Sequence, residues 1–364
     1  MADLKSLNEL GQSIWYDNIR RALLESGEFE KMFKSGVTGV TSNPSIFEKA
    51  IAGSSDYDQV VDPLLAAGLP VKKIYETLAI EDIQRTADLL RTIYSDTDGK
   101  DGFVSIEVSP ELANDTDGTI AEARRLYAEV DRPNVMIKVP VTRAGIPAIE
   151  TLIGEGINVN VTLIFSMASY EEAADAYIKG LDAFDRRGGD LRRVSSVASF
   201  FVSRVDTAVD RALDEKGSSS LQGKIAIANA KIAYARFKEI FSGERWDVLA
   251  EKGAWVQRPL WASTSTKNPA YVDTLYVDSL IGPETVNTVP PATLDAFVDH
   301  GIIANTLELD VEAAEAELQQ LSELGIDLNE ITNQLLRDGV DAFAKAFRSM
   351  LASIENKRGD AYEG

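Results

Sequence analysis

The stretch NVMIKVPVTRAGIPAIETLIGEGINVNVTLIFS, residues 134–166, decides the fold. Two β-branched runs, 134–141 and 158–165, flank an apolar helical pattern with Ile146, Ile149 and Leu152, closed by Gly154 and Gly156. The unit reads as strand, helix, strand. A strand has a side-chain period of two, so Val135, Ile137, Val139 and Val141 share one face and Met136, Lys138 and Pro140 the other. In the second strand Val159, Val161, Leu163 and Phe165 form the apolar face, opposite Asn158, Asn160, Thr162 and Ile164. Parallel neighbours that are apolar outward and polar inward suit a closed barrel covered by helices. An inward Lys138 then has two readings: a structural lysine paired with a carboxylate or reaching water at the barrel mouth, or a Schiff-base lysine made nucleophilic by desolvation.

Outward from this unit the same alternation recurs. Strands are expected at 13–18, 36–43, 103–109, 193–201 and 273–282, and at 258–268 a strand that runs into a Ser/Thr/Lys loop, which with 134–141 and 158–165 makes eight. Helical patterns fill the intervals: 3–10, 19–33, 71–96, 117–129, 168–187 and 220–242, with 291–356 helical throughout. Eight strands separated by helices is the count of a (β/α)8 TIM-type barrel, whose sites lie at the C-terminal ends of the strands. Residues 1–364 are read as a single such domain, with additional helices between strands 2 and 3 and at the C-terminus. A doubly wound open sheet is the rival, but no Gly-rich phosphate fingerprint follows the first strand. No internal repeat or low-complexity linker interrupts the chain, and any disordered tail is confined to about 357–364.

Composition narrows the chemistry. A formal net charge of -21 argues against nucleic acid or an anionic membrane surface as partner. An anionic small substrate would need a basic pocket set against that field. With no cysteine, disulfides, thiolate metal sites and cysteine nucleophiles are excluded. The only histidine is His300, so a histidine-rich metal site is excluded as well. Lys, Asp, Glu, Tyr, Ser and Thr remain to carry any reaction. No run reaches membrane-span length, and the start of the chain has no basic segment followed by an apolar one. A cytoplasmic protein is expected.

Four strand ends present reactive or polar groups at inward positions: Asp17, Glu107, Lys138 and Thr162. Converging on one barrel mouth, they form a candidate site, the alternative being a salt-bridge network of Lys138 with Asp17 or Glu107. Asn43 precedes Pro44 at the end of the second strand, where it can present its amide or serve turn chemistry alone. An amine nucleophile must be neutral, and a free lysine is protonated at pH 7, so such a site needs apolar burial with carboxylates near enough to exchange protons.

The segments IWYDNIRR (14–21), GVTGVTSNPSIF (36–47), VSIEVSP (104–110), MIKVP (136–140), NVNVTLIFS (158–166), SFFVSR (199–204) and WASTSTKNPAY (261–271) resemble the transaldolase family, in that order and across essentially the whole chain. WASTSTKNPAY together with IGPETVNTVP (281–290) is similar to its longer bacterial branch. The resemblance implies a class I aldolase barrel with no metal or organic cofactor. Lys138 would attack the C2 carbonyl of a ketose phosphate, Asp17 would take the C4 hydroxyl proton, and Glu107 with Thr162 and a water would move protons at the carbinolamine. Asn43, Asn160 and Ser195 would hold the dihydroxyacetone hydroxyls, and Ser199, Arg204 and Lys267 the phosphate. Lys267 departs from the arginine of the better-known branch, keeping the charge and losing the bidentate fork. Glu107 and Phe201 match transferases more than the shorter fructose 6-phosphate aldolases, which let the three-carbon fragment go. A non-catalytic sugar-phosphate-binding barrel is the reading from another class. His300 has no role in the resemblance and is expected to be structural. Sugar phosphates are the expected partners, and the expected assembly is a monomer or homodimer.

Overall fold

The quoted stretch folds as strand β4 (Val135–Pro140), a helix (Gly145–Ile153) and strand β5 (Val159–Ile164). A computed structural model describes residues 2–360. The remaining strands are β1 (Gln12–Tyr16), β2 (Val37–Val40), β3 (Val104–Glu107), β6 (Ser196–Phe201), β7 (Arg258–Ala262) and β8 (Thr285–Val289). All pair in parallel, each with its neighbour in sequence, and β8 closes on β1. The result is the expected eight-stranded barrel, with helices around it. Extra helices between β2 and β3, Pro44–Ala52 and Asp58–Ala66, precede the long helix Val71–Asp96. Among the described residues, no helix is long and apolar enough to cross a membrane.

One strand differs from expectation. Residues 273–282 hold a short helix, Leu275–Asp278, and the eighth strand is the later run TVNTV. Local bonding decides this. The Thr274 hydroxyl donates to Asp278 one turn on, at 2.7 Å, and the Tyr276 hydroxyl donates to buried Asp206 at 2.8 Å. The consecutive apolar run Leu275, Tyr276 and Val277 is short enough to serve a helical turn equally well. The expected helix over 19–33 is also two helices, Arg21–Glu25 and Glu28–Ser35, separated at Gly27 with φ 73°. The stretch 291–356 is interrupted as well: helices cover Pro291–His300, Val311–Glu323 and Leu328–Asp360. The last of these carries helix to residue 360, and the rest of the expected tail, 361–364, lies outside the described residues.

The two ends of the barrel have different work. At the N-terminal end Trp15 Nε1 donates to Asp101 at 2.8 Å, and Arg258 donates to Ser13 Oγ at 2.7 Å, so a buried polar cluster ties β1, β7 and the loop before β3. Trp15 fits only because β2 has Gly39 beside it: a Cβ there would lie 2.5 Å from the indole Nε1. At the C-terminal end the helix Leu328–Asp360 lies across the rim. Its buried Phe343, Phe347, Met350 and Ile354 form one helical stripe. Phe347 meets Tyr75 edge-on at 5.6 Å, and Tyr75 meets Phe47 of the rim helix Pro44–Ala52 at 5.7 Å.

Candidate active site

Register brings the reactive side chains into one row. Glu107 of β3 stands opposite Lys138 of β4, and Lys138 stands opposite Asn160 of β5. All three positions carry the inward parity read from the sequence. They lie beside a cavity of about 500 Å³ at the C-terminal end of the barrel, lined by Asp17, Asn43, Lys138, Thr162, Ser199, Phe201, Arg204 and Lys267 among others.

Lys138 is 5% exposed. Its Nζ donates to the Ser42 carbonyl at 3.2 Å and lies 3.6 Å from Glu107 Oε2. The Glu107 side chain is 4% exposed, and burial pushes its carboxyl up to about 7, against the pull of the Lys138 charge and with a push from Asp17. Glu107 Oε2 and Thr162 Oγ1 are both buried without a hydrogen-bond partner among the described residues. A buried polar atom left so is costly in a purely structural role and usable in a reactive one. Asp17 Oδ1 accepts from Thr41 Oγ1 at 2.7 Å, and Thr41 Oγ1 lies 2.5 Å from Thr288 Oγ1. Burial raises the Asp17 carboxyl, opposed first by Lys138, then by the Thr41 hydrogen bond, Lys267 and Lys49.

Behind the cavity Asn160 is fully buried: its Nδ2 donates to Ser105 Oγ at 3.0 Å, and its Oδ1 accepts from Ser199 Oγ at 2.7 Å. Asn43 lines the cavity and also caps the rim helix, its Oδ1 accepting from the Ile46 amide at 3.0 Å. The turn reading and the site reading of Asn43 are therefore compatible.

Ser195 is elsewhere. It precedes β6 at the N-terminal end of the barrel, where its hydroxyl donates to the Gly99 carbonyl at 2.9 Å and its amide to Asn158 Oδ1 at 2.9 Å. Its parity is that of the site but its depth is not, since one strand spans the whole barrel and only its last residues reach the mouth. His300 is also remote, its ring between Asp273 at 2.8 Å and Asp299 at 3.1 Å on the surface. These two carboxylates raise its pKa by hydrogen bonding.

The cavity holds cations that form no ion pair with a carboxylate among the described residues: Arg204, Lys267 and Lys49. Burial lowers the Arg204 pKa, and burial together with the charges of Arg204 and Lys49 lowers that of Lys267. Lys267 Nζ donates to Ser265 Oγ at 2.6 Å, and the Arg204 guanidinium lies 5.4 Å over the Phe201 ring. Uncompensated cations in a chain of net charge -21 cost energy in the free protein and supply an anion site.

Some lining groups carry no legible signal in the sequence. Thr41 and Thr288 support Asp17, but Thr288 lies on the strand that alternation does not reveal, and Thr41 stands beside the more conspicuous Asn43. Lys49 and Phe343 come from helices, where spacing gives a face but not what it faces. The Ser42 carbonyl that receives Lys138 is backbone and has no sequence signature.

Comparison with known proteins agrees over nearly the whole chain. The family model described as transaldolase/fructose-6-phosphate aldolase matches residues 14–354. A transaldolase of Trichodesmium erythraeum is 48% identical over 368 residues, covering 97% of this chain and 97% of that protein. Transaldolase 1 of Streptomyces avermitilis is 46% identical, covering 100% of this chain and 97% of its own length. A transaldolase of Neisseria gonorrhoeae is 48% identical, covering 97% of this chain and 100% of its own length. The chain belongs to the transaldolase/fructose-6-phosphate aldolase family.

Proposed function

We propose that this chain is a Schiff-base transaldolase, moving a dihydroxyacetone unit from sedoheptulose 7-phosphate or fructose 6-phosphate to glyceraldehyde 3-phosphate or erythrose 4-phosphate in the non-oxidative pentose phosphate pathway. The observation that carries it is the buried Lys138 beside Glu107, 3.6 Å away, in a cavity that also holds Asp17 and cations without an ion pair among the described residues.

In the proposed cycle the phosphate of the donor is held by Arg204, Lys267 and Ser199, which sets its chain in the cavity. The neutral Lys138 amine adds to the C2 carbonyl. Glu107, acting with Thr162, gives a proton to the carbinolamine hydroxyl, which leaves as water, and the iminium forms. Asp17 then takes the C4 hydroxyl proton as C3–C4 breaks, and the electron pair of that bond passes into the iminium to give the enamine. The aldose phosphate departs while Asn43 and Asn160 hold the hydroxyls of the bound fragment. Attack of the enamine on the acceptor aldehyde, with the proton returned from Asp17, reverses these steps. No metal or organic cofactor is needed, because the iminium is the electron sink. The assembly that goes with this reading is a monomer or homodimer, and substrates of this class point to the cytoplasm.

Product analysis tests the transfer. With fructose 6-phosphate and erythrose 4-phosphate together, sedoheptulose 7-phosphate should form and free dihydroxyacetone should be a minor product. Release of dihydroxyacetone at the same rate with and without acceptor would identify an aldolase instead.

A further inference from the structure

Two aromatic rings line the cavity, Phe201 and Phe343. They serve opposite ends. Phe201 packs on Phe165 at 5.1 Å and lies under Arg204, at the end expected to bind phosphate. Phe343 lies at the amine end, its ring centroid 5.6 Å from Lys138 Nζ.

The C-terminal helix holds Phe343 there from both sides. One turn before it, Gly339 lies on the same helical face and meets the end of β5 so closely that a Cβ would be 2.9 Å from Leu163 Cδ2. Leu163 itself has φ 62°, and the β5–β6 register shifts between Val161 and Ile164. A bulky residue in the left-handed region is strained, and such strain persists where surrounding packing fixes it. One turn after Phe343, Phe347 is fixed against Tyr75 at 5.6 Å. The irregular end of β5, directly after Thr162, is thus the seat on which the helix rests and from which Phe343 reaches the lysine. Phe343 is 5% exposed, and no substrate hydroxyl or phosphate would hydrogen-bond to it.

We propose that Phe343 is a positioning residue that keeps water from the covalent three-carbon intermediate on Lys138, so that the fragment waits for an acceptor; this rests on the Schiff-base reading above. Premature release consumes one water. The enamine carbon takes a proton to give the iminium, water adds at C2 and loses a proton, and the carbinolamine passes its hydroxyl proton to nitrogen as the Lys138 amine leaves, giving free dihydroxyacetone. An apolar ring over the nitrogen obstructs that water addition.

The test is the ratio of dihydroxyacetone released to fragment transferred, measured on the unsubstituted chain, Phe343→Ala and Phe343→Leu, with fructose 6-phosphate and with or without erythrose 4-phosphate. Borohydride trapping runs in parallel. The alanine variant should raise the ratio about tenfold or more while still giving the Lys138 adduct, and the leucine variant, which keeps apolar bulk and the fold, should raise it less. An unchanged ratio in either folded variant, even with a parallel loss of both activities, would overturn the proposal by making Phe343 merely structural. Absence of any adduct in the unsubstituted chain would instead reject the Schiff-base reading, and this proposal with it.

Discussion

Glu107 and Lys138 face each other across adjacent strands, 3.6 Å apart, with the carboxyl pushed up to about 7. A structural salt bridge of two buried charges would gain from tight pairing, yet Glu107 Oε2 has no hydrogen-bond partner among the described residues. A pair held at this distance can pass a proton in either direction.

That pair sets the pH dependence. Below about 7 the Glu107 carboxyl is protonated and cannot take a proton from an ammonium; above it the carboxylate can. The kcat/KM for the donor should therefore rise with pH through about 7 and level off, the apparent value belonging to the coupled pair. Glu107→Gln should lose this limb along with about 10²- to 10⁴-fold in rate. A limb that survives in the variant belongs to another group, such as Asp17 or the substrate phosphate, and an identical profile in both proteins would remove Glu107 from the chemistry.

Asp17 acts later than Lys138 in the proposed cycle. Asp17→Asn should keep the Thr41 contact roughly in place and still form the Schiff base, but cleave C3–C4 about 10²- to 10⁴-fold more slowly. Mass spectrometry after reduction should find the intact donor sugar on the protein in place of a three-carbon fragment. A variant that accumulates the three-carbon fragment at the normal rate would assign the C4 proton to another group.

For the phosphate end, Lys267→Ala should raise KM for phosphorylated donors about 10- to 100-fold with kcat changed little, as expected for loss of one charge-assisted hydrogen bond. Lys267→Arg should lower KM if the guanidinium fork can reach the anion, because two parallel donors replace a point charge. A large fall in kcat at constant KM in the alanine variant would contradict the role.

Gly39→Ala tests the packing under the site. Its new Cβ would meet the Trp15 ring at 2.5 Å inside the barrel, where neither backbone nor indole can yield cheaply. A loss of about 1–3 kcal/mol in unfolding free energy is expected from denaturant titration. A neutral substitution would mean that the β1–β2 pair is looser than its register implies.

Much of this molecule is legible in the sequence because a strand's period of two puts the reactive residues on one parity. Glu107, Lys138, Asn160 and Thr162 stand out by alternation alone, and the register sets the first three side by side. Alternation carries no depth, and Ser195 shows the consequence: its parity matches Ser199, but it stands at the opposite end of the barrel from the cavity. Nor does it survive a bulge, as at Leu163, where φ 62° ends the regular face that the sequence extends to Phe165. The eighth strand escapes the pattern because Leu275, Tyr276 and Val277 suit a helical turn once Thr274 and Asp278 bond along it. Phe343 is out of reach altogether, since its meeting with Lys138, far earlier in the chain, depends on how the last helix crosses the rim.

The central claim is that Lys138 is the covalent nucleophile, and borohydride reduction in the presence of fructose 6-phosphate, with peptide mapping of the product, tests it most directly. The expected result is a reduced three-carbon adduct on the peptide carrying Lys138, with none formed by Lys138→Ala. A folded chain that transfers the fragment yet yields no adduct, or yields one on a different lysine, would contradict it.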